Sequence, residues 1–227
     1  MSNIIKMKDV TKKYALGYTD VKALRGITLE VTSGDFIAVV GPSGSGKTTL
    51  LNIIGCLDKP TTGIILFEGK DNSELNRNQL ADIRREKIGF IFQHFNLIPV
   101  LNVFENVEFP LIIKKMDKDE RRKRVISALE RVDLKNKNSR KPFELSGGEQ
   151  QRVATARALA GSPEIVLADE PTGDLDSITG TMVIQLFKNL NKEGTTFVFS
   201  THDPEIMKHA NRIVRLHDGR IIHDGAV

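Results

Sequence analysis

Near the N-terminus apolar and polar positions alternate as they do in half-buried strands. Ile4–Val10, Gly26–Val31 and Gly63–Phe67 mix β-branched and polar residues between turn residues, which predicts an antiparallel sheet. Phe36–Val40 is a continuous apolar run that stops at a glycine-rich loop, the pattern of a parallel strand buried on both faces. Thr48–Gly55 predicts the helix leaving that loop, and Pro60 and Gly63 close the segment. From about 95 to 160 the chain reads as helical. Within that region Lys114–Arg124 carries both signs of charge and predicts a solvated helix face. Glu149–Ala160 predicts a helix that follows Ser146-Gly147-Gly148 and ends near Pro163. Ile165–Ala168 and Thr196–Ser200 are further buried-strand runs, with a helix over Thr179–Asn191 between them. Asp218-Gly219 predicts a hairpin turn between Ile213–His217 and Arg220–His223. Strands alternating with helices imply an open, mostly parallel α/β core. No internal repeat or low-complexity linker interrupts it.

A length of 227 residues suits one sizeable core and is short for two ordinary domains. With 40% apolar and 27% charged residues the composition is that of a folded globular chain. The formal net charge of +4 is too small to argue for a nucleic-acid partner. Cys56 is the only cysteine, which excludes an intrachain disulfide, suits a reducing compartment and, in Ile53-Ile54-Gly55-Cys56-Leu57, reads as a small core residue. The N-terminus lacks the apolar stretch of a secretory signal, and no apolar run has the length of a bilayer span. Any transport through a membrane is therefore expected to need a channel from another chain.

Candidate chemistry begins at Gly41-Pro42-Ser43-Gly44-Ser45-Gly46-Lys47-Thr48, between the run Phe36–Val40 and the helix at Thr48, where a phosphate-binding loop belongs. Glycines let the backbone curl so that successive N–H groups converge on phosphates, and the following helix adds its positive end. Lys47 would bring a full charge to the β- and γ-phosphates, and the Thr48 hydroxyl would ligate Mg²⁺. In Ile165-Val166-Leu167-Ala168-Asp169-Glu170 two carboxylates appear where a buried strand emerges. Asp169 is placed to hold Mg²⁺, and Glu170 to orient or deprotonate the attacking water. Alone, such a pair is more often a helix cap or a solvated turn; beside a phosphate loop it completes a nucleotide-hydrolysing set.

The octet Leu145-Ser146-Gly147-Gly148-Glu149-Gln150-Gln151-Arg152 leaves a second helix N-terminus uncluttered, a second anion-binding end in one chain. With these three motifs the sequence resembles the ABC ATPase family over essentially its whole length. The resemblance implies an α/β P-loop fold with a mostly parallel core sheet, an N-terminal antiparallel β subdomain and an inserted helical subdomain of about 95–160, all within one domain, 1–227. It implies ATP and Mg²⁺ as cofactors. The ATP-binding positions are then Tyr14, Gly41, Ser43, Gly44, Ser45, Gly46, Lys47, Thr48 and Thr49. Tyr14 resembles the aromatic that stacks on adenine, although a lone tyrosine also suits a surface. The catalytic positions are Glu170, His202, Gln93 and Lys47, and the metal positions Thr48, Gln93 and Asp169. The signature residues Leu145, Ser146, Gly147, Gly148, Glu149 and Gln150 would complete the ATP site of a second copy, head to tail. Gly173-Asp174-Leu175-Asp176 resembles the loop that crosses this interface, with Asp174 and Asp176 on it. Asp174 departs from the small or amide residue often found there, which leaves its contacts open.

His94–Leu111 is unusually apolar for a segment leaving the core. It reads either as core packing or as a groove for a helix of a membrane partner, in which case charging Leu97 or Val100 would release the partner. Asn52–Thr61 and Phe92–Pro99 are similar to the subfamily of lipoprotein-release and macrolide-export ATPases. The expected partners are a second copy and an integral membrane permease, with no nucleic acid, on the cytoplasmic face of the membrane. DNA-repair ATPases split their motifs with a long coiled coil, and translation-associated members carry two cassettes; neither pattern is present. A non-transport signalling ATPase, such as a cell-division regulator, is the alternative.

Overall fold

The N-terminal alternation folds as an antiparallel sheet. In the computed structural model, which describes residues 2–17 and 19–227, β1 (Asn3–Leu16) pairs antiparallel with β2 (Thr19–Thr32). The chain then leaves for a second sheet through β3 (Phe36–Val40) and α1 (Lys47–Ile54) and returns with β4 (Thr62–Phe67) and the short β5 (Lys70–Asp71). The order of the first sheet is β2-β1-β4-β5. β1 and β2 outrun the predicted apolar alternation, with Tyr14 opposite Val21 and Leu16 opposite Thr19. Ladder hydrogen bonds between hairpin strands continue where neither face is buried, so side-chain pattern alone misses that part.

The second sheet has the order β10-β9-β3-β8-β7-β6. After α2 (Arg77–Lys87) come β6 (Ile88–Phe92), the helices α3 (Val103–Ile113), α4 (Lys118–Arg131) and α5 (Gly147–Ala160), then β7 (Ile165–Asp169), α6 (Ser177–Lys192), β8 (Thr196–Thr201), α7 (Pro204–Met207), β9 (Arg212–His217) and β10 (Arg220–Ala226). β3 runs parallel to β8 and β9, and β7 parallel to β6 and β8, while β10 pairs antiparallel with β9. Every residue of β3 and β8 is buried: β3 is an unbroken apolar run, and β8 carries Phe197–Phe199 between the buried hydroxyls of Thr196, Ser200 and Thr201. One face of β3 packs Ile37 and Val39 against α1 and the first sheet. The other packs Phe36, Ala38 and Val40 with Phe197, Phe199 and the α6 residues Val183, Ile184 and Phe187. Phe187 stacks on Phe197 at 5.0 Å between centroids, and Phe36 meets Phe197 edge-on at 5.9 Å. Such a ring pair adds about 0.5–1.5 kcal/mol beyond the area it buries.

A third cluster joins α3, α4 and α5 through Val107, Leu111, Val125, Leu129 and Val153. The mixed-charge stretch is a solvated face from Lys118 to Arg124, as predicted, while Lys114 lies before α4. The chain turns at Lys115 (φ 56), and the Lys114 ammonium donates to the Gly161 carbonyl at 2.9 Å. Burial pulls the Lys114 ammonium below its usual range despite Glu86 nearby. Cys56 is a core residue, with its thiol pushed up to about 11 by burial. Asp218 and Gly219 both take positive φ (46 and 73), as a type I′ hairpin requires. Among the described residues no helix is long and apolar enough to cross a membrane.

Candidate functional site

The register of the parallel sheet aligns the carboxyl ends of its strands. Val40 lies beside Thr201, and Phe92 beside Asp169. The next residues, Gly41, His202, Gln93 and Glu170, therefore emerge along one edge, where ligands bind in open α/β sheets. A cavity of about 630 Å³ opens there. Ser43, Gly44, Gly46, Lys47, Thr48, Thr49, Gln93, Glu170 and His202 line it, with Val21, Lys22 and Ala23 of β2 on the far wall.

The loop is built to bring backbone close to a ligand. Gly46 takes φ 106, and a Cβ there would stand 2.7 Å from the Ala23 carbonyl oxygen; at Gly41 a Cβ would run into the Leu216 carbonyl. The Ser45 hydroxyl is buried with no hydrogen-bond partner in the protein. Lys47 is 8% exposed. Its ammonium donates to Gly41 O at 2.9 Å and Pro42 O at 3.3 Å and lies 3.5 Å from Glu170 Oε1. A buried cation held by two carbonyls and a carboxylate is a receptor for phosphate oxygens, which match its charge better than the carbonyls do.

Glu170 stands in left-handed backbone (φ 46), a strained state for a residue with a side chain. Ser200, fully buried in β8, holds it there. The Glu170 N–H donates to Ser200 Oγ (2.8 Å), and that hydroxyl donates to Asp169 Oδ1 (2.6 Å). Glu170 Oε2 lies 2.9 Å from His202 Nδ1, whose ring is largely exposed to the cavity mouth. Lys47, Glu170 and His202, far apart in sequence, thus form one contact chain.

Gln93 Nε2 donates to Asp174 Oδ1 (2.8 Å), and His94 Nδ1 lies 2.6 Å from Asp174 Oδ2. The hydrogen bonds from Gln93 and His94 hold the Asp174 carboxyl below the usual carboxylate range. Asp176 caps α6: its Oδ1 accepts from the Ile178 and Thr179 amides (3.1 and 3.0 Å) and its Oδ2 from the Thr179 hydroxyl (2.6 Å). Tyr14 is not among the residues that line the cavity. Its hydroxyl donates to Asp58 Oδ2 (2.7 Å), and Lys12 Nζ lies 4.8 Å from its ring centre. Burial, with the Asp58 hydrogen bond, raises the Tyr14 phenol above its ordinary range.

The signature residues stand elsewhere. Ser146 is the N-cap of α5 and forms a reciprocal capping box with Glu149 (2.9 and 3.3 Å). Lys137 pairs with the Glu149 carboxylate and, with the Ser146 amide, lowers its pKa. Leu145 anchors the segment in the third cluster, and the Gln150 amide donates to Leu145 O at 3.2 Å. Gly147 and Gly148 are packed close: a Cβ would lie 3.1 Å from Leu175 at the first and collide with Thr179 at the second. Ser146, Gly148 and Glu149 line a separate cavity of about 300 Å³ that shares no residue with the first.

Thr48, Gln93 and Asp169 offer the oxygen donors that Mg²⁺ prefers, and Thr48 and Gln93 line the cavity. Among the described residues no group of three or more His, Cys, Asp or Glu could hold an ion. An ion here would be shared with phosphate oxygens, the usual way Mg²⁺ is held with a nucleotide.

Two functional contacts were not visible in the chain. Ser200 is hidden inside a buried run, where a hydroxyl looks like any strand residue; its position beside the Asp169 strand end was the one available signal. The Gln93–Asp174 bond joins positions 81 apart.

The model of the ABC transporter family matches residues 24–173, more than half of the chain. The ABC transporter ATP-binding protein MJ0796 of Methanocaldococcus jannaschii is 51% identical over 223 residues, covering 96% of this chain and 95% of that protein. The macrolide export ATP-binding/permease protein MacB of Mannheimia succiniciproducens is 46% identical over 98% of this chain, which spans 34% of MacB. The dimeric post-hydrolysis structure of MJ0796 bound to ADP and Pi superposes with a TM-score of 0.89 at 48% identity, covering 98% of each chain. The chain belongs to the ABC transporter ATP-binding family, and it is an ATPase.

Proposed function

We propose that this cassette works as a head-to-tail homodimer in which each ATP is held by the phosphate loop of one copy and Ser146 of the other. The observation that carries this reading is the separation of the two anion-binding ends, which line different cavities of one chain. A dimeric relative structure with ADP and Pi supports it. Lys47 is shared among Gly41 O, Pro42 O and Glu170. Incoming phosphates take the ammonium, and Glu170 is released to receive the proton of the attacking water. The Ser200 hydroxyl ties the Glu170 backbone amide to the Asp169 carboxylate while this happens. His202 and the loop N–H groups face the charge that develops on the transferred phosphoryl group. Thr48, Asp169 and Gln93 would hold Mg²⁺, which neutralises phosphate charge when bound. Tyr14 is the aromatic proposed to stack on adenine, with Thr49 beside its hydroxyl.

We further propose that the motor drives a separate membrane permease, of the export or lipoprotein-release kind, and resides on the cytoplasmic face of the membrane through it. An apolar groove of about 560 Å³, with Leu57, Phe90, Ile98, Phe109 and Ile113 among its walls, suits an amphipathic helix. Arg157, on the same wall, donates to Phe95 O (2.9 Å) and Asn96 O (2.5 Å), both left-handed residues just after Gln93. A helix pressed into the groove would therefore move Gln93. Leu97 packs into the third cluster and does not line the groove, so charging it tests core packing. Val100 is 74% exposed and also lies outside the groove. The informative variants are Phe109→Asp and Ile113→Asp. Each is expected to weaken capture of the permease by about 30-fold, the effect of a lost apolar anchor, with the ATPase of the isolated cassette retained. Pull-down from detergent-solubilised membranes alongside phosphate release measures both, and loss of both together would contradict the docking role. Substrate flux in vesicles with the reconstituted permease tests transport itself.

A further inference from the structure

We propose that Asp174 is a positioning residue that selects which end of the Gln93 carboxamide faces the nucleotide. This rests on the reading of Gln93 as the group that meets metal and water. A carboxamide has two ends of nearly equal shape and opposite character, an oxygen that accepts and an NH₂ that donates. Only the oxygen can ligate a divalent cation or accept a hydrogen bond from water; the NH₂ end turned the same way would repel the cation. Nothing in the aliphatic stem of Gln93 decides between them.

Asp174 decides it. An ionised carboxylate accepts and cannot donate, so Oδ1 at 2.8 Å can engage only Nε2. His94 Nδ1, 2.6 Å from Oδ2, occupies the other carboxylate oxygen and keeps the group from swinging away. Gly173 closes the same side: a Cβ there would stand 3.0 Å from Gln93 Cδ and Nε2, so the amide is packed close against the loop. With Nε2 so held, Oε1 is the end left for the cavity that Gln93 lines. A small residue at 174 could not do this, and a lysine would do the reverse. The carboxylate that departs from the family pattern thus has a chemical task in this chain.

The test uses the full chain with Asp174→Ala, Asp174→Asn and Asp174→Lys, with Gln93→Leu as reference. The first readout needs no nucleotide: the ¹⁵N side-chain NH₂ signal of Gln93, identified by its loss in Gln93→Leu. The wild type is expected to show one amide proton shifted downfield and slow to exchange, Asp174→Ala and Asp174→Lys to lose it, and Asp174→Asn, which can donate as well as accept, to fall between them. The second readout is the Mg²⁺ concentration at half-maximal ATP-dependent dimerisation, measured in the Glu170→Gln background. It is expected to rise about tenfold in the Ala and Lys variants, as when an outer partner of a metal ligand is removed, and by an intermediate amount in Asn. An unchanged amide signal in Asp174→Ala would overturn the proposal. So would weaker dimerisation at every Mg²⁺ concentration with the midpoint unmoved, since Asp174 would then be acting on the second copy. If Gln93→Leu shifts the midpoint and Asp174→Ala does not, this proposal alone fails. If Gln93→Leu does not shift it, the reading of Gln93 fails and takes the proposal with it.

Discussion

Glu170→Gln is expected to lower ATP turnover by about 10²–10⁴-fold, the usual worth of a general base, while the protein still dimerises when ATP is added. Glutamine keeps the shape of the side chain and its hydrogen bond toward His202, but its amide cannot take a proton from water. The substitution also removes a negative charge that stands 3.5 Å from Lys47, where the phosphates must come. Binding is therefore favoured as turnover is lost, and the ATP-bound dimer should accumulate. Phosphate release gives the first quantity, and light scattering after size exclusion gives the second. A variant that stays monomeric with saturating ATP would count against the composite site.

Lys47→Ala carries the second largest effect. The ammonium is almost wholly buried, and its partners are two carbonyls and the Glu170 carboxylate. Without it the loop keeps its N–H groups but loses the one full positive charge among the loop residues lining the cavity, and Glu170 is left to repel the phosphates. Turnover is expected to fall by about 10²–10³-fold, as when a preorganised donor to a developing oxyanion is removed, and nucleotide affinity to fall with it. A fluorescent-nucleotide titration and phosphate release measure the two, with circular dichroism to show that the fold is intact. Unchanged affinity and turnover would remove Lys47 from the site.

Some parts of this molecule were readable in the chain and others were not, for physical reasons. Phe36–Val40 and Thr196–Ser200 are buried on both faces, so their apolar runs mark them almost to the residue. α2 was missed because Leu80 is its one buried residue and its capping box, Asn76 with Gln79, is a short polar pattern common in loops. Within the mixed-charge stretch Lys114 is the exception, because a long aliphatic stem lets its ammonium reach across a packed surface to Gly161. In the candidate site the sequence was informative wherever a motif sits at a strand end, since the parallel register brings those ends together. It was silent on Ser200, and it left Asp174 as an oddity, because contacts between distant loops leave no periodic trace.

The central claim is that one chain holds only half of each working pocket. The direct measurement is to mix Lys47→Ala protein with Ser146→Arg protein and record phosphate release at saturating ATP. Either variant alone has two defective sites per dimer. A mixed dimer gathers both lesions in one site and leaves the other intact. With random pairing in equal amounts, the mixture is expected to recover up to about a quarter of the wild-type rate. A mixture no more active than its two components, under conditions where the copies exchange, would contradict the account.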